Sequence, residues 1–99
     1  MNILAGRITL DFYGNESLTK KKKLISQLAD ATRRKWSIHL MEVDAFDHPE
    51  TCVVGFATVV SSRERGQAQA VEIMDYVEIH SVARVVKDEM EVAAFDSLV

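Results

Sequence analysis

Thr51-Cys-Val-Val-Gly-Phe-Ala-Thr-Val-Val60 is apolar almost throughout, and β-branched residues dominate it. A run with no polar side to turn toward water predicts a strand covered on both faces, lying centrally in a sheet. Its neighbours in the chain must supply the rest of that sheet and the layer that covers it.

Immediately upstream, Asp44-Ala-Phe-Asp-His-Pro-Glu50 is the longest polar interruption in the chain, and Pro49 marks it as a loop. Before it, Trp36 to Val43 alternates, with Trp36, Ile38 and Leu40 on one side and Ser37, His39, Met41 and Val43 on the other. That predicts a second strand. Residues 2–12 alternate in the same way, with Leu4, Gly6, Ile8, Leu10 and Phe12 facing one side, which predicts the first strand. Gly14, Asn15 and Ser17 break it, and the Ser17 hydroxyl can accept an orphan N–H of a following helix. Leu24, Ile25, Leu28, Ala29 and Thr32 then recur at steps of three and four, so a helix runs from Leu18 to about Lys35. Downstream of the central strand, Ser61 and Ser62 offer a second N-cap. Ala68, Ala70, Ile73, Met74 and Val77 mark the inner side of a helix ending near His80, and Val82 to about Val92 closes the sheet. Phe95 and Leu98 are expected to pack back onto the globule or onto a neighbour.

The order β-α-β-β-α-β predicts one ferredoxin-like α+β domain over residues 1–99, a four-stranded antiparallel sheet with both helices on one face. The other face would carry Ile3, Ala5, His39, Met41, Val53, Gly55 and Ala57, more apolar than a solvated face should be. Homodimerisation or partner docking is the natural expectation, with Ile3, Ala5, His39, Met41 and Val53 as interface residues.

Composition narrows the class. A chain of 99 residues that is 47% apolar, with one Pro and four Gly, packs as a globule rather than staying disordered. At this size a site is a surface or a shallow groove, not a deep enclosed pocket. The single Cys52 has no partner for an intramolecular disulfide. No apolar run approaches the roughly 18 residues that span a bilayer, and the N-terminus lacks a basic lead and a cleavage site. A cytoplasmic location is expected.

Charge is unevenly distributed. Lys20, Lys21, Lys22, Lys23, Arg33, Arg34 and Lys35 are seven of the twelve Lys and Arg residues. Residues 1–35 carry a net +5 and residues 36–99 a net −8, within a total of −3. On a helical projection Lys20, Lys23 and Arg34 point away from the buried side, with Lys22 and Arg33 on a flank, while Lys21 leans inward. Four lysines in the first turns oppose the helix dipole, a local rule broken without structural gain. A basic face of this kind meets phosphates, so Lys20, Lys22, Lys23, Arg33 and Arg34 are candidate nucleic-acid contacts. The competing reading pairs the ridge with Glu64, Glu72, Asp75 and Glu78 of the second helix. Glu42 alternates onto the helix-covered side with Ile38 and Leu40, where it can reach Lys21 or Lys22. A Lys21–Glu42 salt bridge is therefore expected.

Enzyme chemistry finds little support. Asp44, Asp47, His48 and Glu50 are residue types for a metal or acid-base site, but no ligand spacing is present. Acylphosphatases share the topology yet need a glycine-rich anion loop with an Arg after the first strand, and Phe12-Tyr-Gly-Asn-Glu-Ser17 has one Gly and no Arg. Cys52, opening an apolar strand, reads as a core residue. No enzyme activity, metal, cofactor or small-molecule substrate is expected.

Ser17-Leu-Thr-Lys-Lys-Lys-Lys23, Met41-Glu-Val-Asp44, Val54-Gly-Phe-Ala57 and Val59-Val-Ser61 resemble, in this order and over nearly the whole chain, the YlxP-like family of small bacterial proteins of unknown function. Lys21, Lys22, Glu42 and Asp44 match its pattern. The loop departs from it, since Asp47-His-Pro-Glu-Thr51 stands where the family carries an aromatic residue and a Gln-Arg pair. The resemblance implies a ferredoxin-like fold. Because such relatives are typically encoded beside translation and ribosome-maturation factors, it also implies association with RNA or the ribosome.

Overall fold

The computed structural model describes residues 1–95. Its elements are β1 (Asn2–Asp11), α1 (Leu18–Trp36), β2 (Met41–Asp44), β3 (Thr51–Val60), α2 (Arg63–His80) and β4 (Arg84–Ala94). They form the ferredoxin-like β-α-β-β-α-β arrangement, an antiparallel sheet in the order β2-β3-β1-β4 with two helices. No helix among the described residues is long and apolar enough to cross a membrane.

Period-two alternation sets the core. Leu4, Ile8 and Leu10 of β1 turn to the helices, and so do Cys52, Val54, Phe56 and Val60 of β3. The pairing Ile8↔Val54 and Leu10↔Cys52 puts like against like on that face. Ile25 and Leu28 of α1 and Ile73 and Val77 of α2 close over them. Each such side chain removed from water contributes about 1.5–3 kcal/mol.

Both helices begin on the serines that the sequence marks. The Ser17 hydroxyl accepts the Lys20 N–H at 3.1 Å, and Ser62 accepts that of Arg65 at 3.1 Å. Gly66 lets α2 lie close to the sheet, since a Cβ there would stand 2.7 Å from Val92 Cγ2 and 3.1 Å from Val60 Cγ2.

The second strand differs from expectation. Residues 36–43 do not form one strand: α1 continues through Trp36, and β2 begins only at Met41. Ser37 stops the helix in the left-handed region, at φ 58°, while its N–H donates to the Arg33 carbonyl. That conformation is normally taken by Gly or Asn, so the sequence carries no stop signal. Ile38 and Leu40 are buried as their alternation suggests, but in a connection rather than a ladder. Of the expected inner side of α2, Ile73 and Val77 are buried and Ala70 and Met74 pack against the core, joined by Gly66, whereas Ala68 is exposed. The last strand begins at Arg84 and extends through Ala94, about two residues later than expected. Phe95 bonds the chain ends through Phe95 N–H to the Met1 carbonyl and is itself exposed; Leu98 lies outside the described residues.

Candidate nucleic-acid interface on the first helix

α1 buries one stripe, and Lys21 is part of it. The Lys21 side chain is 1% exposed, in line with Ile25, Leu28 and Thr32. Its Nζ donates to the Ala45 carbonyl at 2.8 Å and the His48 carbonyl at 2.7 Å, and lies 2.7 Å from Glu42 Oε2. Glu42 Oε2 has no hydrogen-bond partner, so that contact is a close ion pair. Lys21 thus ties α1 to β2 and to the loop after it.

The same loop is fastened a second time. Phe12 N–H donates to the Glu50 carbonyl at 2.6 Å, and Gly14 N–H donates to Glu50 Oε1 at 3.0 Å. Buried Asn15 donates through Nδ2 to the Pro49 and Ser17 carbonyls. Asp44 Oδ1 accepts the neighbouring Ala45 N–H. Asp44 and Glu50 therefore bond to the backbone of this region, and among the described residues no His, Cys, Asp and Glu cluster could hold a metal ion.

The remaining basic residues of α1 divide by partner. Arg33 pairs with Asp30 on its own helix at 2.8 Å, both half exposed. Lys35 sits over the Trp36 and Tyr76 rings at 5.2 and 5.1 Å, and those rings meet edge to face at 4.9 Å. Tyr76 in turn stacks on His80 and donates to the Ala31 carbonyl, so this cluster joins α1 to α2. Lys20, Lys22, Lys23 and Arg34 are exposed and make no ion pair among the described residues. Glu64, Glu72, Asp75 and Glu78 of α2 do not reach them. Periodicity alone does not bring Trp36 and Tyr76 together, because it places the Trp in a strand rather than at the end of α1.

The open sheet face is mixed. Met41 is 57% and Val59 65% exposed, Ala5 is exposed and Ile3 half-buried. Val53 faces the same side but is covered there. Flanked by Thr9 and Asp44 on the adjoining strands, it is only 9% exposed and offers a partner little surface. His39 is exposed and precedes β2, outside the strand. Toward β4 the face is charged: Arg7 grips both oxygens of Glu89 at 2.9 and 3.0 Å, and Lys87 lies 3.0 Å away. The Arg7 and Lys87 hydrogen bonds hold the Glu89 carboxyl below its ordinary range. The Arg7↔Glu89 register, which brings these strands side by side, was not readable before the strand order was known.

Cys52 lies beneath the Lys21–Glu42 pair. Burial, reinforced by the Glu42 charge and opposed by that of Lys21, pushes its thiol up to about 12. A thiol so held is not a nucleophile at neutral pH.

Residues 3–90 match the family described as protein of unknown function, DUF503. The chain belongs to the DUF503 family. No curated protein matches this DUF503 chain. Among solved structures it is similar to a putative antibiotic biosynthesis monooxygenase from Deinococcus radiodurans, at 13% identity and a TM-score of 0.46, over 100% of this chain and 96% of that one. A likeness of that size says nothing about activity.

Proposed function

We propose that this DUF503 protein is a non-enzymatic, cytoplasmic accessory factor that associates with RNA or the ribosome, gripping phosphates through the exposed face of α1. The observation that carries this reading is the set of cations left over. Lys20, Lys22, Lys23 and Arg34 have no carboxylate partner among the described residues, although four acids lie on the neighbouring helix. Arg33 joins them at little cost, because an exposed i,i+3 pair is worth well under about 1 kcal/mol. No acid offsets the lysines in the first turn of α1. Such an arrangement gives up helix stability and retains a concentrated positive edge.

The test is a salt titration of RNA binding with Lys20, Lys22 and Lys23 changed to Glu. Each phosphate neutralised on a single strand contributes about 0.7 to the slope of log K against log salt, so the triple change should flatten it by roughly 2. Unchanged affinity and slope would remove the proposal.

A second reading rests on Met41 and Val59, large apolar side chains left in water on the sheet face. They support a protein-docking or homodimerisation role for that face, confined to its β2–β3 side because Arg7, Lys87 and Glu89 occupy the other. Sedimentation at micromolar concentration decides it, a clean monomer counting against an isologous dimer.

A further inference from the structure

The β1–α1 turn holds an aromatic ring in water. Tyr13 is 94% exposed, while its neighbours Phe12 and Asn15 are buried. The turn is pinned on both sides, by Phe12 and Gly14 N–H bonds to Glu50, by Asn15 N–H to the Phe12 carbonyl, and by Asn15 Nδ2 to Pro49. Gly14, at φ 79°, provides the left-handed step that turns the chain there. The aromatic and cationic contacts within the described residues involve Lys35, Trp36, Tyr76 and His80, not Tyr13. The ring is thus presented on a fixed support without an intramolecular partner.

It borders a groove of about 600 Å³ between this turn, the start of α1 and the approach to β4. Clefts that hold ligands span about 300–1,000 Å³. Phe12, Leu24 and Val82 give the groove apolar surface, and Lys20 and Arg84 put cations on it. Asp11 and Glu16 lie on it too, so a bare polyphosphate would be repelled. Carboxylates accept hydrogen bonds from exocyclic amino groups and ribose hydroxyls, and an A, G or C nucleotide of RNA offers both.

We infer that this groove binds a nucleotide of single-stranded RNA, its base stacked on Tyr13, its phosphates on Lys20 and Arg84, and its amino or hydroxyl donors on Asp11 or Glu16. The inference rests on the proposed RNA association and narrows it, because a duplex keeps its bases stacked inside and cannot supply one to Tyr13. It also places base contact at the start of α1 rather than on the sheet face, where the central strands β1 and β3 put no aromatic side chain on the open side.

The experiment measures binding of an unstructured RNA oligomer and of an RNA duplex of equal length to the full chain at low salt, for the unaltered protein, Tyr13→Ala and Tyr13→Phe. Tyr13 packs against nothing, so both variants should melt as the unaltered protein does. Tyr13→Ala should lose about tenfold or more in single-strand affinity, keep its duplex affinity and salt slope, and be rescued by Tyr13→Phe. Single-strand binding insensitive to Tyr13→Ala, but weakened by charge reversal of Lys20, Lys22 and Lys23, overturns this inference and leaves the broader proposal standing. Absence of binding to either RNA overturns both.

Discussion

Lys21 and Glu42 meet at 2.7 Å across α1 and β2, the lysine fully buried and the glutamate at the rim with 17% of its side chain exposed. The burial is unequal, and so are the consequences of breaking the pair. Lys21→Met removes three contacts at once, orphans the Ala45 and His48 carbonyls, and frees the loop they belong to. Breaking a buried pair costs about 3–5 kcal/mol, so Lys21→Met should lower the urea midpoint by that equivalent. Glu42→Lys sets two ammonium groups together and should cost as much. The Lys21→Met/Glu42→Met double variant should lose less than the sum of its two single Met variants, which a double-mutant cycle reads directly.

Cys52 supplies a pH test of the same region. Its folded thiol titrates at about 12 against an ordinary value of 9.0, so the unfolded chain loses its proton first. Stability from this group is whole below about pH 9 and drains away as pH rises toward 12, at roughly 1 kcal/mol per pH unit. Lysines and tyrosines titrate in the same window, so the comparison is with Cys52→Ala, whose melting temperature should fall less steeply there. Native protein at neutral pH should also resist thiol reagents, with labelling that follows unfolding. Rapid labelling of folded protein would contradict the burial described.

Gly66→Ala sets two effects against each other. Alanine is about 1 kcal/mol better than glycine within a helix. The added Cβ, however, meets two valine methyls, with Val92 Cγ2 at only 2.7 Å, and a branched side chain cannot swing aside freely. Overpacking costs about 1–3 kcal/mol, so the variant should be the less stable one in thermal melts. Val92→Ala should restore much of the loss in the double variant. Gly66→Ala melting above the original would mean that α2 shifts off the sheet without penalty.

What the sequence made legible was whatever local chemistry writes down. The serine caps at 17 and 62, the alternation of β1 and the double-sided burial of β3 are each set within a few residues, and the element order follows from them. Trp36 was misplaced because its neighbours also fit a period of two, and because Ser37 ends α1 without the glycine that would announce it. Lys21 could be picked out from its neighbours by helical phase alone. Which of the other cations lacked partners could not, since that depends on the distance between α1 and the acids of α2. Tyr13 is similar: a turn residue in sequence, it becomes notable only once Glu50 and Asn15 are seen to pin the turn beneath it.

Lys20, Lys22 and Lys23 separate binding from folding. They sit at the positive end of the α1 dipole, exposed and without carboxylate partners among the described residues. Changing them to Glu replaces unfavourable charges with favourable ones, worth about 0.3–1 kcal/mol each at low salt. The melting temperature should therefore rise, provided Lys21 is left in place, while affinity for RNA falls and its salt dependence flattens. A structural role predicts the opposite order, with stability lost first and binding lost only as a consequence. Thermal melts and binding isotherms on one triple variant distinguish the two, and a fall in melting temperature would withdraw these lysines from the proposed interface.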